Sequence, residues 1–186
     1  MDVKPIVAMT LSLLSACVGP PARVASVPAL SLPGTDGRQH DLRADAAATT
    51  ATVYVFYDSR CPCVAAHLER LKALRETFGA RGVEWYFVDS EVGASVERDR
   101  GFATPFSMLA DEGGKLARAT GAEFAGYAVL VDRDGAVRYS GGVDDDRSHL
   151  RDDATPYLKD ALEDLLAGAP VRRPEGKTLG CALQLW

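Results

Sequence analysis

Two cysteines flank one proline in Cys61-Pro62-Cys63, where an apolar, β-branched run, Thr52-Val53-Tyr54-Val55-Phe56-Tyr57, gives way to a helical pattern. A thiol at a helix start feels the positive end of the backbone dipole and unpaired N–H groups, which favour the thiolate and lower its pKa. Such a sulfur is a nucleophile or a soft-metal ligand. Cys61 takes the outermost position, which predicts both the strongest dipole effect and the best access to solvent. Residues two apart on a helix point to different sides, so a Cys61–Cys63 disulfide requires Cys61 to lie outside the helix and would be strained.

A third thiol, Cys181, stands in Leu179-Gly180-Cys181-Ala182-Leu183, fifteen residues beyond Leu166. Extended, that length spans roughly 50 Å, so Cys181 can reach the Cys61 region as a resolving thiol or a third ligand. The apolar ending Ala182-Leu183-Gln184-Leu185-Trp186 predicts docking against the domain. His67, four residues after Cys63, lies on the same helix face and reads as a packing or surface histidine before it reads as a ligand. His40 and His149 stand in polar turns and are expected to be solvated. Asp144-Asp145-Asp146 with Asp152-Asp153 lacks the spacing of a calcium loop and reads as a solvated acidic loop. Trp85 is expected in the core and Trp186 in docking.

The elements that position these residues can be traced along the chain. Lys4, the apolar stretch Pro5 to Leu14 and Leu14-Ser15-Ala16-Cys17 read as an export signal over residues 1–16 followed by a lipidated cysteine, Cys17. Residues 17–28 then form a Pro- and Ala-rich tether. This places the protein in the cell envelope, lipid-anchored and facing the periplasm or another extracytoplasmic space, where thiols can be oxidised. With Cys17 lipidated, three thiols remain, an odd set that suits cycling or metal chemistry better than stapling. The net charge of -5, with Lys and Arg scattered, excludes a nucleic-acid partner.

A hairpin is expected around Pro33-Gly34-Thr35-Asp36-Gly37, from Ala29 to Leu42. Thr52 to Tyr57 and Val83 to Val88 read as strands of a right-handed parallel βαβ unit. The helix between them carries Val64, Leu68, Leu71, Leu74 and Phe78 and ends at Gly79 or Gly82. This puts the cysteine pair at the carboxyl end of a parallel strand, where open α/β sheets place their sites. Ala94 to Arg100 and Lys115 to Thr120 read as helices and Phe106 to Leu109 as a strand. A further hairpin runs through Asp132-Arg133-Asp134-Gly135, and a last helix carries Leu158, Leu162, Leu165 and Leu166 behind Thr155 as N-cap.

The order of elements, with Val55-Phe56-Tyr57-Asp58-Ser59-Arg60-Cys61-Pro62-Cys63, Phe106-Ser107-Met108-Leu109-Ala110-Asp111 and Val129-Leu130-Val131-Asp132-Arg133-Asp134-Gly135, resembles the thioredoxin-like superfamily. Within it, the chain looks like the redoxin group of peroxiredoxin-type and disulfide-handling lipoproteins. The resemblance covers residues 29–168 and implies an α/β fold with a central mixed sheet flanked by helices, an N-terminal hairpin and a C-terminal tail over 169–186. Three departures matter. One residue, not two, separates the paired cysteines; Gly126 stands where the superfamily has a cis-proline that keeps metal from the thiols; Tyr54 and Asp58 occupy the peroxiredoxin Pro and Thr/Ser positions.

Two functions follow. One is a thiol-disulfide oxidoreductase acting on protein disulfides or a redox partner, with Cys61 as nucleophile, Cys63 or Cys181 resolving, and no cofactor. The other is a carrier of soft metal, copper as Cu(I) first and zinc second, held by Cys61, Cys63 and Cys181.

Overall fold

In the computed structural model, which describes residues 25–185, a short antiparallel hairpin of β1 (Ser31–Pro33) and β2 (Gln39–Asp41) leads into helix α1 (Leu42–Ala47). Strand β3 (Ala51–Phe56), helix α2 (Pro62–Gly79) and strand β4 (Val83–Asp89) follow. Helix α3 (Val96–Asp99), strand β5 (Ser107–Ala110), helix α4 (Lys115–Thr120), the hairpin β6 (Tyr127–Asp132) and β7 (Val137–Gly142), and helix α5 (Tyr157–Leu166) complete the order. The second sheet has five strands in the order β5-β4-β3-β6-β7, with β3, β4 and β5 parallel and β6 and β7 antiparallel to their neighbours. This is the mixed α/β sheet flanked by helices that the thioredoxin-like resemblance implies.

Every residue of β3 is buried, as a continuous apolar run at the centre of a two-faced sheet requires. Alternation divides its side chains. Val53 and Val55 join Trp85, Phe87, Leu130 and Tyr139 beneath α2 and α5, where Leu71, Phe78, Leu158 and Leu162 meet them. Tyr54 and Phe56 face the other way, against Leu42 and Ala46 of α1 and Leu116 of α4, and that second layer also contains Cys61 and Cys63. Burying side chains of this size contributes about 1.5–3 kcal/mol each, so the cysteines sit on a rigid base. Trp85 is in the core as expected.

Several expectations are corrected. Helix α1 is not apparent from periodicity; Asp41 starts it by accepting from the N–H groups of Arg43 and Ala44 at 3.1 and 3.0 Å. The N-cap of α5 is Pro156, not Thr155, whose hydroxyl and amide instead bind Asp145 at 3.0 and 2.8 Å. Residues 25–28 are not a free tether, because Val27 is buried and its N–H donates to the Gly135 carbonyl at 2.8 Å. His40 is not solvated: its ring is buried between Asp45, at 2.7 Å, and Asp36, at 3.2 Å, and lies edge-on to Tyr86. Cys17 and Trp186 lie outside the described residues.

Candidate active site

Cys61 is the N-cap of α2, in extended conformation at φ -81° and ψ 111°, and Pro62 opens the first turn. Its fixed φ and missing N–H suit that position, where the amide would have no helical partner. The preceding loop is closed by Asp58, whose carbonyl accepts from Cys61 N at 3.0 Å and whose carboxylate accepts from Arg60 N at 2.9 Å and Nε at 3.2 Å. The cysteine pair thus leaves the carboxyl end of β3 with its backbone fixed. Cys61 is only 1% exposed and Cys63 4%, packed among Val64, Ala122, Ala125 and Leu183. The expectation that Cys61 has the best solvent access is therefore wrong; of the three described thiols the half-buried Cys181 is the most open.

The C-terminal tail crosses the site as a strap, with Leu183 buried in the same layer as Cys61 and Cys181 packed against that layer. It first runs along β7, where Ser140 N donates to the Pro174 carbonyl and Gly176 N to the Ser140 carbonyl. It then crosses to the turn before β6: Ala125 N donates to the Cys181 carbonyl at 2.8 Å and Leu183 N to the Glu123 carbonyl at 2.9 Å. Gly180 permits that approach, since a Cβ there would lie 1.8 Å from the Ala125 carbonyl oxygen. Past the cysteine, Gln184 N donates to Glu91 Oε1 at 2.9 Å, while Val92 N donates to the Gln184 carbonyl at 2.7 Å. The other oxygen of Glu91 accepts from Arg60 at 2.9 Å. One buried carboxylate therefore ties the loop before Cys61 to the strap that carries Cys181.

The strap brings the Sγ atoms of Cys61, Cys63 and Cys181 within 4.8 Å of one another, and all three thiols are free. Burial alone would raise the Cys61 pKa, but the Cys181 thiol and the backbone amides of Val64, Cys181 and Cys63 outweigh it and hold the pKa below the ordinary thiol value. Cys181 shows the reverse. Its interaction with Cys61, then burial, push its thiol up to about 12. The arrangement favours the thiolate at Cys61 and the protonated thiol at Cys181, which donates to it.

One turn along α2, His67 is buried, with Nδ1 on the Cys63 carbonyl at 2.7 Å and Nε2 on Asp144 at 2.9 Å. Both partners only accept, so both ring nitrogens carry protons and the ring is an imidazolium. Burial alone would lower its pKa, but Asp144 and the Cys63 carbonyl raise it. Asp144 also accepts from Arg70, and Asp146 from Arg70 and Arg151. Asp144 and Asp146 are thus buried ion-pair partners, which corrects the solvated-loop reading, whereas His149 is exposed as expected. A cavity of about 20 Å³, lined by Cys63, His67, Gly126 and Thr178 among others, lies between this cluster and the strap. Gly126, in the left-handed region at φ 86°, donates its N–H to the Phe56 carbonyl at 2.8 Å.

Sequence reasoning does not give Glu91, Asp144 or Gly180 its place at the site, because each acts through a partner distant in the chain. Asp99 is missed as well: buried beside Asp89 and 3.9 Å from Arg98, it is pushed up to about 8 by burial and the Asp89 carboxylate.

The model of the Redoxin family matches residues 23–157. An uncharacterised conserved protein from Geobacillus kaustophilus is similar at 28% identity and a TM-score of 0.76, over 87% of this chain and 90% of that one. A hypothetical protein from Sinorhizobium meliloti 1021 is similar at 23% identity and a TM-score of 0.76, over 89% and 95%. A cysteine-to-serine mutant of Xanthomonas campestris peroxiredoxin Q is similar at 25% identity and a TM-score of 0.53, over 79% and 99%. No curated protein matches the chain.

Proposed function

Because the chain belongs to the Redoxin family, whose matched span takes in Cys61 and Cys63, we propose that it is a thiol-disulfide oxidoreductase in which Cys61 attacks and Cys181 resolves. The observation that carries this reading is the docked strap, which sets Cys181 Sγ within 4.8 Å of Cys61 Sγ. A disulfide needs about 2.05 Å between sulfurs, a closure the strap can make without unfolding the sheet.

The Cys61 thiolate attacks one sulfur of a substrate disulfide. A bond forms between Cys61 and that sulfur, the substrate S–S bond breaks, and the first substrate thiolate leaves. Cys61 is now neutral, so the interaction that held Cys181 protonated is gone and its pKa falls. Cys181 gives up its proton and attacks Cys61 Sγ, forming the Cys61–Cys181 disulfide and expelling the second substrate thiolate. Two electrons have passed to the substrate, and an external dithiol returns the protein to its starting state. A resolving Cys63 is disfavoured by its position two residues along the same backbone. Peroxide fits less well than disulfide, because the position where the peroxiredoxin resemblance expects Thr or Ser holds Asp58, an acceptor committed to Arg60.

Substrates of this kind are extracytoplasmic protein disulfides or a redox partner protein. The Leu14-Ser15-Ala16-Cys17 segment supports placement in the cell envelope, with Cys17 as the lipid anchor. No described helix is long and apolar enough to cross a membrane.

The reaction is tested by mixing the reduced chain with a small excess of glutathione disulfide and counting thiols. Each chain is expected to reduce one disulfide fully, lose two thiols and keep Cys63 alkylable. No thiol loss, or a glutathione adduct that persists on the wild-type chain, overturns the reading.

A further inference from the structure

Disulfide exchange between Cys61 and Cys181 leaves one feature of the site unused. Cys63 is 4% exposed and free, and its sulfur lies within 4.8 Å of both other sulfurs. Simple core filling would not require it to face the pair. We propose that Cys61, Cys63 and Cys181 form a three-thiolate site for Cu(I), which competes with disulfide exchange for the same sulfurs.

The geometry is close to what such a site needs. With metal–sulfur bonds of about 2.3 Å, three sulfurs arranged in a plane around one ion lie about 4.0 Å apart, so the 4.8 Å limit leaves less than about 1 Å to close. The strap can supply that movement, since Cys181 is held by main-chain hydrogen bonds on one side of the site and Cys61 and Cys63 by α2 on the other.

The donor set selects the ion. The cluster offers sulfur alone, which excludes hard cations and favours soft ones. His67 cannot add a nitrogen, because Nδ1 is committed to the Cys63 carbonyl and Nε2 to Asp144. Zinc, which takes four protein ligands in closed structural sites, lacks a fourth here among the described residues; Cu(I) is satisfied by three thiolates. Val64, Ala125 and Leu183 pack in the same buried layer as Cys61 and Cys63, and Cys181 lies against that layer half-buried. Three thiolates around Cu(I) carry a net charge of -2, which the N-terminus of α2, an 18-residue helix, favours.

No electron changes hands on binding; Cu(I) displaces the protons of those thiols that still carry them. Oxidation of Cys61 and Cys181 by a substrate disulfide removes two of the three ligands and releases the ion. The proposal stands independently of the exchange reaction, needing only the reduced sulfurs.

The test is an anaerobic titration of the reduced full chain with Cu(I) in competition with bathocuproine disulfonate, followed by the absorbance of the coloured chelate. One Cu(I) per chain is expected to be withdrawn from the chelator, the disulfide-oxidised chain should withdraw none, and Cys63→Ser should bind at least about tenfold more weakly, the low end of what even an outer-shell change costs a metal site. No withdrawal by the reduced chain, or equal affinity in Cys63→Ser, overturns the proposal. Copper-edge X-ray absorption on the wild-type chain keeps the test decisive if the variant fails to fold: three sulfur neighbours support the site and two contradict it. Failure of glutathione disulfide reduction would leave the reduced-chain titration, the Cys63→Ser comparison and the X-ray absorption result unchanged, so the two readings fail separately.

Discussion

Cys61→Ser abolishes disulfide reduction, with turnover falling on the order of 10⁴-fold or more, the scale seen when an essential nucleophile is removed. A serine hydroxyl is not ionised near neutral pH, so the first bond to the substrate does not form. Cys181→Ser stops the reaction one step later. Its Cys61 still attacks, but nothing displaces the substrate from the mixed disulfide, and a covalent adduct accumulates that intact-mass measurement and non-reducing gels detect. Loss of Cys181 also removes a group that stabilises the Cys61 thiolate, so attack in this variant shifts to higher pH. Accumulation of the adduct in Cys61→Ser, or full turnover in Cys181→Ser, would reverse the assignment. Circular dichroism of each variant checks that the fold is retained.

Asp144→Ala is the substitution with the largest expected effect on stability away from the hydrophobic layers. The Asp144 side chain is 1% exposed and faces both His67 and Arg70, so its removal strands a buried imidazolium and part of a guanidinium. Breaking a buried pair from one side costs about 3 kcal/mol or more, which for a chain of this size lowers Tm by about 6–12 °C. The pH dependence has a definite sign. His67 is raised from 6.5, so its contribution is full below that value and is lost as pH rises through the folded-state pKa. Burial alone would raise Asp144, but hydrogen bonds from His67 and Arg70 outweigh it and hold the carboxyl below 3.8. Its contribution is full above 3.8 and is lost as pH falls through the folded-state pKa. The stability gap between wild type and Asp144→Ala is therefore widest between those two values and narrows on both sides, as thermal melts across pH would show. A gap independent of pH would mean that His67 is neutral in the fold.

The residues that could be read in the sequence share a property: their signal is local. The apolar run that forms β3, the spacing of Val64, Leu71, Leu74 and Phe78 on α2, and Gly121 closing α4 each follow from neighbours within a few positions. The cysteine pair at the strand-to-helix turn belongs to the same class. What could not be read depends on partners far along the chain. His67 looks like a helix-face histidine until the segment after β7 delivers Asp144, and the acidic loop looks solvated until Arg70 and Arg151 close on it. Reach alone leaves Cys181 free to be anywhere within a long radius. Its place is set by Gly180 lying against Ala125 and by Glu91 gripping Gln184, contacts with no counterpart in local pattern. Solvent access of Cys61 is illegible for the same reason, because the strap that crosses the site arrives from the opposite end of the chain.

The central claim is that Cys181, brought by that strap, is the partner of Cys61. It is tested most directly by mapping the disulfide that remains after the reduced chain is oxidised with glutathione disulfide and quenched with acid. Proteolysis and mass spectrometry should yield a linked pair of peptides containing Cys61 and Cys181, with Cys63 recovered as the alkylated free thiol. A Cys61–Cys63 linkage with Cys181 free would contradict the account.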